Sequence, residues 1–124
     1  MLAGLYEARA RAFAAASPQL LDRVWTESAP NRAADEEYAR ALAAAGERVL
    51  GFAPTVTDVA VVSSDPGRTE LRATDGWPGY QVVAAAQPGG PPLRTGPARP
   101  PAAVRVVLVA GPEGWRMASA ERVG

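Results

Sequence analysis

The 124-residue sequence predicts an α+β domain in which three N-terminal helices pack on a curved, mostly antiparallel sheet. Two features of the sequence predict this class. Apolar residues recur at steps of three and four from residue 2 to roughly residue 52, and the period changes to two from Val49 onward. The chain also has the length of one domain, so residues 1–124 are interpreted as a single unit.

Three helices are predicted in the first half of the chain. Ser17–Pro18 ends the first helix, because proline suits the first turn of the helix that follows. The second helix is expected to extend through Trp25, and Thr26–Pro30 separates it from the third. Tyr38 belongs to the apolar side of the third helix, and Gly46 is a natural C-terminal stop.

The densest acidic cluster, Asp35, Glu36 and Glu37, lies near the start of the third helix. A divalent cation would need several converging oxygen ligands, but consecutive helical positions point around the helix in different directions. Negative charge near a helix start also interacts favourably with the helix dipole. We therefore expect a solvated helix start and no metal site.

The second half of the chain has the alternation of half-buried strands. Asp65–Gly67 and Gly111–Gly114 supply tight turns, which predict two hairpins. The third predicted strand is entered through Asp75–Gly79. The five predicted strands are Val56–Val62, Thr69–Thr74, Tyr80–Ala86, Val104–Ala110 and Trp115–Ala120.

One segment lacks either period. Gln87–Pro101 holds nine Gly or Pro among fifteen residues, and Leu93 is its one strongly apolar residue. Proline cannot donate to a strand ladder, so we expect a long mobile loop, with residues 88–101 as its main part. Arg94 and Arg99 would be anion contacts if the loop acted as a lid, although a surface insertion is the favoured interpretation.

The composition excludes several kinds of chemistry. Thirteen basic and thirteen acidic residues balance, which argues against nucleic acid as a partner. The absence of cysteine and histidine excludes disulfides, zinc sites built on those residues and a Ser-His-Asp triad, and we expect no cofactor. Direct membrane insertion is not expected, because the best apolar run, Ala102–Ala110, is interrupted by Arg105.

Three stretches of the chain carry a resemblance to a known superfamily. They are Leu5–Leu21, Thr74–Tyr80, and Val106–Val109 followed by Glu113–Ala118. Together they resemble the opening helices, middle strand and closing hairpin of the nuclear-transport-factor-2-like superfamily. These cystatin-like cone folds include SnoaL-like polyketide cyclases and ketosteroid isomerases. The resemblance implies a cone-shaped pocket between the helices and the concave face of the sheet.

Further expectations come from relatives of this type in GC-rich bacteria. Such domains often form the soluble C-terminal part of an anchored or secreted protein. The resemblance therefore implies an extracytoplasmic domain of an anchored protein, or otherwise a cytoplasmic one. Relatives also dimerise through the sheet, and Val83, Val107 and Val109 alternate on strands in a way that favours a homodimer.

The catalytic residues of the superfamily do not carry over to this chain. The isomerases use an aspartate after the second helix as base and a tyrosine in the first helix as oxyanion donor. Glu27 is the nearest carboxylate to that aspartate, and Arg9 stands where the tyrosine would be, with Tyr6 one turn away. The cyclases rely on a pocket histidine, and this chain has none. The expected catalytic set is therefore empty, and the alternative is an enzyme that uses Tyr6, Glu27 and Asp75.

Four aromatic residues are candidates for lining the pocket: Trp25, Tyr38, Trp77 and Tyr80. Core filling is the alternative, because an alanine-rich chain needs large side chains for volume. Asp75 would serve as a base if it faced the pocket, but pairing with an arginine of a neighbouring strand is favoured, with Arg72 and Arg105 available.

The resulting hypothesis is a non-catalytic accessory domain of cone fold. It would act in protein association or in the binding of a small apolar ligand, as part of a larger or multi-component bacterial system. The alternative is a SnoaL-like isomerase, cyclase or dehydratase that acts on a small apolar substrate.

Overall fold

The structure, a computed structural model, describes residues 2–123. The helical part consists of α1 (Leu2–Ala14), a 3₁₀ helix (Pro18–Arg23) and α2 (Pro30–Ala45). The strands are β1 (Glu47–Leu50), β2 (Thr55–Asp65), β3 (Arg68–Trp77), β4 (Tyr80–Ala84), β5 (Arg94–Gly96), β6 (Arg99–Gly111) and β7 (Gly114–Arg122). All these strands pair antiparallel, so the predicted α+β class is confirmed.

The prediction of three N-terminal helices is met only roughly, because the second is a short 3₁₀ helix that ends at Arg23. Residues 24–26, which follow this helix, pair with a strand of the sheet instead of forming another helical turn. The backbone N–H of Met117 in β7 donates to the Val24 carbonyl (2.8 Å), and the N–H of Thr26 donates to the Met117 carbonyl (2.9 Å). Trp25 thus lies in a bridge to β7. Backbone bonding to a distant strand has replaced a helical turn that the apolar pattern predicted.

The strands form two sheets instead of one meander. One sheet has the order β2-β3-β6-β7, and the other has the order β1-β4-β5. The hairpins β2–β3 and β6–β7 have the turns predicted at Asp65–Gly67 and Gly111–Gly114. After Trp77 the chain leaves the larger sheet, and β4 pairs with β1.

The expected mobile loop at Gln87–Pro101 is wrong for its second half, which contains β5 and the start of β6. Leu93 donates its backbone N–H to the Val82 carbonyl (2.8 Å), and β5 pairs with β4. The prolines of β6 lie at a register shift opposite Gly76, where ladder bonding is interrupted in any case. A Cβ on Gly76 would lie 2.7 Å from the Arg99 carbonyl oxygen, so glycine permits this close approach.

The core lies between the helices and the inner face of the larger sheet. Leu71 and Ala73 of β3, together with Val104 and Val106 of β6, alternate inward and pack on buried residues of α1 and α2. Alternate positions such as Arg72 face solvent. This packing leaves one end of the cone open between α1, α2 and the ends of β3 and β6.

Two of the three sheet residues expected to support a homodimer are buried. Val83 and Val107 are buried within the chain, and Val109 is half-buried. Apolar exposure occurs instead on β2, where Val59, Val61 and Val62 are 50%, 64% and 52% exposed.

Candidate functional site

The open end of the cone contains a cleft with two adjoining lobes, which share Arg9, Asp35 and Trp77 in their walls. The polar lobe has a volume of about 160 Å³, and the aromatic lobe has a volume of about 190 Å³. Tyr6, Trp25, Asp75 and Arg99 add to the walls of the polar lobe. Phe13, Tyr38, Val49, Phe52 and Tyr80 add to those of the aromatic lobe.

Helical spacing explains why α1 and α2 each present several residues to the cleft. Tyr6, Arg9 and Phe13 lie three and four residues apart on α1, so they share one face. Asp35 and Tyr38 share a face of α2 for the same reason. The two helices contact each other, which places an arginine from one opposite a carboxylate from the other.

Asp35 is buried and accepts three hydrogen bonds. Arg9 donates through Nε (2.6 Å) and Nη2 (3.0 Å), and Trp25 donates through its indole N–H (2.9 Å). The paired fork of an arginine against a carboxylate is a strong, directional arrangement. The expected solvated helix start is therefore wrong for Asp35, because residues distant in sequence supply it with donors; Glu37 is exposed as expected.

Asp75 forms the second buried carboxylate group of the cleft. The Tyr6 hydroxyl donates to its Oδ2 (2.5 Å), and Arg99 Nη2 lies 3.2 Å from its Oδ1. Burial and the bond to Asp75 raise the pKa of the Tyr6 phenol far above its ordinary value. Pairing with an arginine agrees with the favoured interpretation, although the partner is Arg99 and not Arg72 or Arg105.

Trp77 separates the two ion pairs. Its ring centroid lies 5.1 Å from the Arg99 guanidinium carbon and 5.8 Å from that of Arg9. Cations near an aromatic face are attracted to its π electrons. Since each arginine also has a carboxylate partner, the cleft has no excess charge of either sign from these four residues.

The aromatic lobe is built from rings in edge-to-face contact. Phe52 is central, with centroid distances of 5.2 Å to Trp77, 5.2 Å to Tyr80 and 5.8 Å to Phe13. Burial raises the pKa of the Tyr38 hydroxyl. These T-shaped contacts hold the rings in place, and the rings line the open aromatic lobe.

The four expected pocket residues, Trp25, Tyr38, Trp77 and Tyr80, all line this cleft. Tyr6 and Asp75, two members of the alternative catalytic set, contact each other. Glu27 is exposed and lies outside the walls of both lobes.

Sequence reasoning did not identify Arg9, Asp35 and Phe52 as site residues. The spacing of Tyr6, Arg9 and Phe13 on one helical face was the available signal for Arg9. Asp35 carried no such signal, because its position in an acidic cluster pointed to solvent. For Arg99, the sequence predicts only an anion contact in a mobile lid.

Within residues 2–123, no helix is long and apolar enough to cross a membrane, and no cluster of three or more acidic side chains is arranged to hold a metal ion. Arg94, the other cation of the presumed lid, pairs with Glu47 (2.8 Å).

Comparisons with known proteins identify the fold. No protein-family model matches the chain, and no curated protein matches it significantly. The chain is similar to the intermembrane space region of the chloroplast protein ARC6, with a TM-score of 0.64 at 16% identity over 99% of this chain and 92% of that one. It is also similar to Kfla4162 from Kribbella flavida, with a TM-score of 0.59 at 18% identity over 98% and 86% of the two chains.

A third solved structure is also similar to this chain. It is a protein with a cystatin-like fold from Caulobacter vibrioides, with a TM-score of 0.50 at 13% identity over 98% of this chain and 86% of that chain. The chain thus has a cystatin-like fold. The resemblance predicted from the sequence is confirmed for the fold.

Proposed function

We propose that the chain is a non-catalytic binding domain whose cleft holds a small, largely apolar molecule. The observation that carries this proposal is the combination of an open aromatic wall with two carboxylates, Asp35 and Asp75, that are both engaged by arginines. The cleft offers contact surface for a ligand, while each of its two acidic groups lies beside an arginine.

The hydrogen bonds that Asp35 accepts argue against its use as a general base. A general base needs a lone pair directed at the substrate, but Asp35 accepts three protein hydrogen bonds. The Tyr6 hydroxyl donates to Asp75, and its raised pKa keeps it protonated at neutral pH.

The size of the cleft limits the ligand. Sites for drug-sized molecules commonly have volumes of about 300–1,000 Å³. Neither lobe reaches that range by itself, at about 160 Å³ and 190 Å³. A ligand of one or two rings that enters the aromatic lobe fits this space.

Binding can be tested by titrating the protein with ethylbenzene and acetophenone while following backbone and indole N–H resonances by NMR. We expect shifts at Trp77 and Tyr80, and we expect Phe52→Ala to weaken binding because it removes the central ring of the wall. Leu20→Ala is the matched control, since Leu20 is exposed on the 3₁₀ helix outside the cleft. If neither probe binds, the proposal is refuted.

The accessory part of the hypothesis is supported by the nature of one structural neighbour. The similar part of ARC6 is described as one region of a chloroplast protein, and the present chain covers 92% of that region. We propose that this chain likewise works within a larger or multi-component system, as an extracytoplasmic domain of an anchored protein or else in the cytoplasm. Detection of the native protein in membrane and soluble fractions tests this location.

Association of two copies is proposed through β2. The opposite edge of the same sheet, β7, is covered by Trp25 and by the Asn31 side chain, which bonds to the Ala120 backbone. β2 is uncovered and has no charged residue from Val59 to Ser64, so two copies can meet there without like-charge repulsion. Light scattering at rising concentration should detect a dimer that Val61→Glu abolishes. A monomer at all concentrations would refute it.

The second candidate is a SnoaL-like isomerase, cyclase or dehydratase. The contact between Tyr6 and Asp75 inside the cleft favours it, because these residues belong to the alternative catalytic set. An enzyme that abstracts a proton from the carbon beside a carbonyl would replace those hydrogens of 2-cyclohexenone by deuterium in deuterated water. Exchange that depends on Tyr6, measured by NMR against the Tyr6→Phe variant, would establish this candidate and overturn the non-catalytic proposal.

A further inference from the structure

We propose that the aromatic lobe selects a neutral, single-ring aromatic compound whose carbonyl oxygen accepts a hydrogen bond from Arg9. This inference rests on the proposed binding function and names the chemistry of its ligand. It depends on three independent features: the volume of the lobe, the free donors of Arg9 and the charge balance of the walls.

The volume of the aromatic lobe suits one ring. An apolar cavity of about 150 Å³ is known to hold a benzene molecule. The lobe has about 190 Å³, which leaves room for a ring with a short substituent. Phe13, Phe52, Trp77 and Tyr80 present ring faces and edges around this space, and such surfaces favour a planar aromatic partner over a branched aliphatic one.

Arg9 supplies the polar contact. A guanidinium group has five N–H donors, and Asp35 occupies donors on Nε and Nη2. Nη1 donates to no protein acceptor within residues 2–123. The Arg9 side chain is 22% exposed, and it lines both lobes, with its guanidinium carbon 5.1 Å from the Phe13 ring and 5.7 Å from the Phe52 ring. A ligand in the aromatic lobe therefore meets unused donors and needs an acceptor.

Charge balance favours a neutral acceptor over an anion. Arg9 and Asp35 are the two ionic residues of the aromatic lobe, and they neutralise each other. A carboxylate ligand at Arg9 would also approach Asp35, and its desolvation would not be offset by an uncompensated cation. A ketone or amide oxygen accepts the same hydrogen bond without this cost.

Three probes of similar size separate the contributions: ethylbenzene, acetophenone and benzoate. We expect acetophenone to bind about tenfold more tightly than ethylbenzene, since a hydrogen bond from a charged donor has this order of effect. We expect benzoate to bind more weakly than acetophenone. NMR titration of the wild-type protein measures all three dissociation constants.

The outcomes are distinguishable. If neither ethylbenzene nor acetophenone binds, the proposed binding function itself fails. If both bind equally, the function stands and the role of Arg9 is refuted. If benzoate binds most tightly, the site selects anions and the neutral ligand class is refuted.

A variant pair tests the residue directly. Arg9→Lys retains a cation opposite Asp35 but loses the planar fork, so acetophenone should lose its advantage over ethylbenzene. Arg11→Lys is the control, because Arg11 is exposed on the same helix. A merely structural role of Arg9 would weaken both probes equally. The wild-type probe series decides the proposal if Arg9→Lys does not fold.

Discussion

Asp35→Asn provides a sharp test of the ion pair that links the two helices. The substitution preserves the shape of the side chain and removes its charge. In the native protein Asp35 binds the Arg9 fork at 2.6 Å and 3.0 Å and also accepts the Trp25 indole N–H. In the variant, the amide NH₂ group faces one of these donors, and Arg9 has lost its counterion.

The magnitude follows from burial. Removing one partner of a fully buried ion pair costs about 3–5 kcal/mol. Because Arg9 is 22% exposed, water compensates part of its charge, and we expect a loss of about 2–4 kcal/mol in the free energy of unfolding. Stabilities of natural domains are about 5–15 kcal/mol, so this is a large fraction of the total.

The assay is urea unfolding followed by far-UV circular dichroism, with tryptophan fluorescence as a second probe. The midpoint should fall while the dependence of free energy on urea concentration stays constant. Glu37→Gln is the matched control, since Glu37 belongs to the same acidic cluster but is exposed. A loss below about 1 kcal/mol, or equal losses in the two variants, would refute the reasoning and restore the interpretation of a solvated helix start.

Two further variants test other parts of the site. Tyr6→Phe should cost about 1.5–3 kcal/mol at neutral pH, because it removes a donor from buried Asp75. Burial raises the native pKa of Tyr6 above the value of 10.0 in an unfolded chain, so wild-type stability should fall as the pH rises beyond about 10. Tyr6→Phe should remove this decline in stability. Urea unfolding at about pH 8 and 11 measures the decline, and an unchanged decline in the variant would contradict the prediction. Gly96→Ala should impair acetophenone binding, because a Cβ on residue 96 would lie 2.1 Å from the Tyr80 ring. Gly89→Ala is the control and should leave binding intact, because a Cβ there would have no atom within 4 Å. Equal dissociation constants for the two variants in NMR titrations would refute this prediction.

Local sequence signals predicted most elements correctly. The period of three to four residues identified α1 and α2, and Gly46 ends α2 in the left-handed conformation that glycine adopts readily. The turns at Asp65–Gly67 and Gly111–Gly114 gave both hairpins of the larger sheet. These signals are local, because they depend on residues a few positions apart.

Elements that depend on distant partners were not predicted. β5 forms in a Gly/Pro-rich segment because β4 offers it backbone partners, and Arg94 pairs with Glu47, 47 residues away. The second helix ends early because Val24 and Thr26 form backbone hydrogen bonds with Met117 of β7. In both places tertiary hydrogen bonds outweigh the preference of the segment itself.

The sequence by itself determined which chemistry is absent and which kind of fold is present. The lack of cysteine and histidine excluded thiolate and imidazole chemistry, and the alternation of polar and apolar residues specified helices followed by strands. Only the tertiary structure decided which acidic side chains belong to the site. Asp35 meets Arg9 across 26 residues and Asp75 meets Tyr6 across 69, because packing of the helices on the sheet brings donors to carboxylates whose neighbours in sequence give no indication of burial.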